Sequence, residues 1–235
     1  MLPVAALDKG CRLGGCQLTE NIINVIQIIL IVAAFIISFR NALKYHSRVW
    51  SVASFFYAVF AMGDIFYMLI QLFYHRNYVF YIPDIGWYSS YLFLDLILIM
   101  VTSENEKKYR YKILLLVPVF TFSMLVFFVA VSGDVPANLA AMLTMTFLLL
   151  RSSRGLIYTG RVESGNDRDH TEYDGHERRQ LYATVFAFCI TEYCLWTISC
   201  FWMGDTMRNP YYWFDILLTL MMLMLLPAIR KAVNR

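Results

Sequence analysis

The chain has 235 residues, is 59% apolar and is charged at only 16% of its positions, with a formal net charge of +3. That is too little charged surface for a soluble domain of this length. It also argues against a nucleic-acid binder, because Lys and Arg are scattered between apolar runs rather than gathered on one face.

Runs of eighteen or more residues with almost no charge recur along the chain. Each can cross the ~30 Å hydrocarbon layer as a helix of roughly 20 residues. Seven runs predict an all-α polytopic membrane protein with seven transmembrane helices, whose first partner is the lipid bilayer. Residues 1–19 read as a polar extracellular tail, 20–229 as the membrane domain and 230–235 as a cytoplasmic tail. Cys11 and Cys16 lie in the first tail, where an oxidising compartment would let them pair. Cys189, Cys194 and Cys200 fall in one span and read as small apolar side chains.

Span one covers about 20–39 and ends at Arg40; span two covers about 49–73. Pro83-Asp84 marks a helix start, with a carboxylate suited to the free N–H groups and positive dipole of that end. Span three covers about 85–103, and a charged loop from Glu104 to Lys112 leads to span four, about 111–132. Asp134 and Pro136 make the next turn. Span five is short: about fourteen apolar residues separate Val135 from Arg151, so Arg151 and Arg154 must snorkel, or the helix continues through Tyr158. A long polar stretch, 159–180, precedes span six (about 181–203) and span seven (about 210–229).

Sixteen of the twenty Lys and Arg fall in loops one–two, three–four and five–six and at the C-terminus. The positive-inside rule then places the N-terminus outside the cell membrane and the C-terminus in the cytoplasm. Trp50 at one face, with Trp87, Tyr88, Tyr211, Tyr212 and Trp213 at the other, suits interfacial belts.

Laying Asp95 on Asp215 aligns Tyr91-Leu-Phe-Leu-Asp95 with Tyr211-Tyr-Trp-Phe-Asp215, and laying Asp64 on Glu192 aligns Phe60 with Phe188. This suggests a 3+1+3 arrangement of parallel repeats, with span four as the connector. Apolar helices of like composition would also align.

Ionisable residues inside a span are costly and point to function. Asp64, Asp95, Glu192 and Asp215 qualify, with Asp95 and Glu192 near mid-membrane. No Lys or Arg is expected deep enough to neutralise them, so protonation, a hydrogen-bond donor, water or a cation must do so. Tyr67, Tyr91, Trp196 and Tyr211 lie three or four residues from these acids on the same helical faces. Together the eight residues form a candidate site for a cationic or polar small ligand. The alternative is that the acids tie helices together by buried hydrogen bonds.

No catalytic constellation, metal site or cofactor is expected. The acidic and His-containing stretch Asp167–His176 matches no zinc or calcium spacing, and no phosphate loop, nucleophile elbow or H-E-x-x-H occurs. A retinal protein would need a lysine in its last span, and 210–229 has none.

The series Gly63-Asp64-Ile-Phe-Tyr67, Pro83-Asp84, Trp87-Tyr88 and Tyr91 resembles the N-terminal membrane modules of some bacterial diguanylate cyclases and sensor kinases. Glu192 and the aromatic-rich stretch around Asp215 continue that rhythm over 181–229, although Glu192 stands where Asp is expected. The resemblance implies a sensory or regulatory module. Only six residues follow Ile229, so the output is expected from a cytoplasmic signalling partner that reads the 159–180 loop. The competing reading is a small-molecule or ion transporter whose acids carry protons or cations.

Overall fold

Helix is the only regular structure among residues 16–73, 81–163, 172–202 and 208–233, which the computed structural model describes. The long helices are α1 (Cys16–Tyr45), α2 (Arg48–Phe73), α3 (Tyr81–Val101), α5 (Leu116–Ser132), α6 (Val135–Glu163), α7 (Glu172–Phe201) and α8 (Pro210–Val233). A short α4 (Glu104–Lys108) and a 3-10 turn (Lys112–Leu115) join α3 to α5. Seven helices among the described residues are long and apolar enough to cross a membrane, which establishes an all-α, multi-pass architecture.

Local chemistry sets the ends of these helices. His46, at φ 48°, makes the left-handed turn between α1 and α2. Asp84 stands in the first turn of α3, as its charge demands. The Ser103 side chain accepts from the Glu106 backbone N–H at 3.3 Å and starts α4. Gly133, at φ 71°, closes α5 by donating to the Val129 carbonyl at 2.9 Å. Asp134 Oδ1 then accepts from Ala137 N–H at 3.3 Å and opens α6. Asn209 Oδ1 accepts from Tyr211 N–H at 3.0 Å at the start of α8, beside Pro210 in the first turn.

Two expectations change and a third is decided. The polar tail gives way to helix already at Cys16, because no breaker stands between Cys16 and the apolar run. Span five takes the longer of its two expected forms: α6 has 29 residues and continues past Arg151, Arg154 and Tyr158. The 159–180 stretch is helical at both ends, as α6 reaches Glu163 and α7 begins at Glu172. Residues 164–171 lie outside the described ones, as do Cys11 and the 75–77 hairpin.

The helices close a ring in the order α1, α2, α3, α6, α7, α8 and back to α1, while α5 packs outside on α6. The units α1–α2–α3 and α6–α7–α8 thus meet at two seams, α3 with α6 and α8 with α1. That neighbour order is the one a two-fold axis along the bundle would give. Buried Phe56, Tyr57, Tyr91, Phe188 and Met222 fill the middle. The rings of Phe56 and Phe188 meet there at 6.4 Å, and Tyr57 donates to the Met222 carbonyl at 2.7 Å.

The α2–α3 contact is close because glycines face each other. A Cβ on Gly86 would lie 2.9 Å from Gly63 Cα, and one on Gly63 would lie 2.9 Å from the Trp87 indole. Small residues let the backbones approach, and here they also make room for the indole.

Basic residues gather at one end of the bundle: Lys44 and Arg48 at the α1–α2 turn, Lys107 and Lys108 on α4, and Arg230 and Lys231 in the last turn of α8. The α2–α3 and α7–α8 connections mark the opposite end.

Candidate functional site

The four acids within the spans fall into two groups. Towards the opposite end, Asp64 on α2, Glu192 on α7 and Asp215 on α8 are all buried. They lie within electrostatic range of one another. Nearer the basic end, Asp95 on α3 meets Arg151 on α6, with Oδ1 2.7 Å from Nε. Arg154 also acts on Asp95. Fully buried Cys189 stands between the groups, in range of both Glu192 and Asp95.

The Asp95–Arg151 pair corrects the expectation that no cation reaches the acids. Arg151 does not snorkel out of a short span. It sits inside a long helix at the seam between the two three-helix units, where it meets a carboxylate. Asp95 is therefore paired with a cation on a neighbouring helix, apart from the other three acids. The same geometry changes the internal alignment. Asp64 and Glu192, which it equates, belong to the same group, but Asp95 and Asp215 do not.

Each acid of the first group has a neutral donor. The Trp87 indole N–H donates to Asp64 Oδ1 at 2.8 Å. The Tyr91 hydroxyl donates to Glu192 Oε1 at 2.6 Å. Gln27 on α1 approaches Asp215 at 3.4 Å, across the α8–α1 seam. Asp64 Oδ2 is buried and accepts no hydrogen bond among the described residues. The two ion pairs among those residues, Lys107–Glu104 and Arg151–Asp95, involve none of the three acids. No group of three or more metal-ligating side chains converges on one point among the described residues.

The other expected residues separate likewise. The Tyr67 ring lies 5.8 Å from that of Trp87. Tyr91 and Trp196 border a small cleft between α3, α5, α6 and α7, whereas Tyr211 does not line it and has its ring 5.9 Å from that of Tyr212. The cleft has room for about 30 Å³, the scale of a water molecule. Its walls also include Asp84, Trp87, Tyr88 and Phe128. The sequence reading assigned these four no place in the site. Trp87, Tyr88 and Asp84 were visible as a motif at the α3 start; Phe128 carried no signal, being one apolar residue among many in α5.

A second polar network closes the basic end. Glu106 on α4 is fully buried, and Tyr182 on α7 donates to its Oε2 at 2.8 Å. Thr102 Oγ1 lies 3.3 Å from the same tyrosine oxygen. Tyr182 fits because Gly155 leaves its ring space: a Cβ there would collide with it. Burial raises the Glu106 carboxyl above its ordinary range, against the pull of the Tyr182 hydrogen bond and of Arg154 and Arg178.

Compared with known proteins, the chain matches no family model, and no curated protein or solved structure matches it.

Proposed function

We propose that the chain is a membrane sensory or regulatory module. It binds a small ligand in the half of the bundle that faces outward under the positive-inside rule, and it acts through a cytoplasmic signalling partner. The observation that carries this reading is the pair of bonds Trp87–Asp64 and Tyr91–Glu192. Each joins a buried acid to an aromatic side chain that borders the same cleft. A ligand touching those rings shifts the hydrogen bonds behind them and so the packing of α2 and α7 against α3. The basic end, with α4 held by Glu106 and Tyr182, is the surface a partner would read. The resemblance to signalling modules adds weight through Gly63-Asp64, Trp87-Tyr88 and Tyr91.

A transporter is the second reading, favoured by the ring of two three-helix units around the acids. The packed middle, where Phe56 meets Phe188, favours the first. Reconstitution separates them. Purified protein in liposomes should move no amine, sodium or proton, yet in nanodiscs it should retain a cytoplasmic partner or a bound small molecule by native mass spectrometry. Solute flux lost in Asp64→Asn or Glu192→Gln would establish the transporter. Binding and partner capture unchanged in the double variant would remove the site.

A further inference from the structure

We infer that the cleft between α3, α5, α6 and α7 is an aromatic box for an alkylated ammonium group, a class that deepens the ligand-binding reading above and rests on it. Half of its lining is aromatic, Trp87, Tyr88, Tyr91, Phe128 and Trp196, and the other half includes the polar side chains of Asp84, Ser132 and Asn138. Aromatic faces attract a cation through the ring quadrupole, and they suit one whose methyl groups offer no hydrogen bonds.

Trp87 and Tyr91 spend their polar hydrogens on Asp64 and Glu192. A ring that donates its polar hydrogen to an acceptor gains electron density on its face. Asp84 and Asp134 lie in electrostatic range of Tyr88. No Lys or Arg borders the cleft among the described residues.

The cleft is contracted, at about 30 Å³. A tetramethylated nitrogen is larger and is admitted only as the walls part. The wall best able to move is Phe128 on α5, which lies outside the ring and meets Trp196 edge-on at 6.2 Å. Binding therefore changes the surroundings of Trp196.

The test titrates the full chain in nanodiscs with tetramethylammonium. Its neutral counterpart of the same heavy-atom shape, tert-butanol, with methylammonium and sodium, serves as comparison. Tryptophan fluorescence and calorimetry are the readouts. Tetramethylammonium should saturate the signal, and the neutral alcohol should bind at least about tenfold more weakly. Trp196→Leu should abolish the response. Tyr91→Phe, which keeps the ring and removes only its bond to Glu192, should weaken binding severalfold. Equal binding of the neutral alcohol, or full tetramethylammonium affinity in Trp196→Leu, overturns the box. If sodium or methylammonium binds instead and is lost in Asp64→Asn, the ammonium assignment falls while the ligand-binding reading stands. If no probe binds and partner capture ignores Asp64→Asn with Glu192→Gln, both fall.

Discussion

Asp95 Oδ1 and Arg151 Nε lie 2.7 Å apart and join the two three-helix units at the α3–α6 seam. Removing one partner of a pair held in such surroundings leaves the other charge uncompensated, whereas removing both does not. Arg151→Met is expected to cost about 3 kcal/mol of stability, and the double variant Asp95→Asn with Arg151→Gln clearly less. Thermal unfolding in nanodiscs, read by helical circular dichroism, checks the order of the two.

Glycine positions should differ sharply in tolerance. Gly86→Ala places a methyl 2.9 Å from the Gly63 backbone, which cannot step aside as a side chain could. It should cost about 1–3 kcal/mol by overpacking and displace Trp87 from Asp64. Gly160→Ala, also helical but with nothing within 4 Å of its new Cβ, should be neutral or slightly stabilising. Melting temperatures of the two variants, with tryptophan emission for the first, decide this.

Glu106 gives the basic end a pH dependence. Its carboxyl is raised by burial, so the folded chain holds the proton more tightly than the unfolded chain does. Its contribution is fully present below the ordinary value of 4.5 and is lost as pH rises through the raised one. Glu106→Gln keeps an oxygen to accept from Tyr182 and removes the charge. The variant should melt higher than the parent at neutral pH, with the gap closing on acidification. A variant that instead melts below the parent at neutral pH, with the deficit closing on acidification, would show that Glu106 is stabilised as a carboxylate, by Arg154 and Arg178.

Hydropathy made the seven spans and their class legible, because crossing a bilayer demands length and apolarity whatever the packing. The acids could be named for the same reason: a carboxylate in an apolar run stands out. Their partners could not. Arg151 near the end of an apolar stretch looks like a helix terminus until α3 is seen beside it, carrying Asp95 at the matching height. Trp87 reads as a belt aromatic and Tyr91 as a neighbour of Asp95 on its own helix, since nothing along the chain says that their polar hydrogens turn to Asp64 and Glu192. Phe128 belongs to the cleft only through the place α5 takes beside α7. In each case the missing information is which helices are neighbours, and apolar periodicity is weakest on that point when every face is apolar.

The position of α5 carries a consequence for assembly. Two units that run in the same direction need one extra crossing between them, and α5 supplies it without joining the ring. It works as a tether, holding one half at a high effective concentration beside the other. Contacts that would be too weak to recruit a free partner then suffice. The Asp95–Arg151 ion pair at one seam and the long Gln27–Asp215 approach of 3.4 Å at the other are of that kind, beside the packed rings of Phe56 and Phe188.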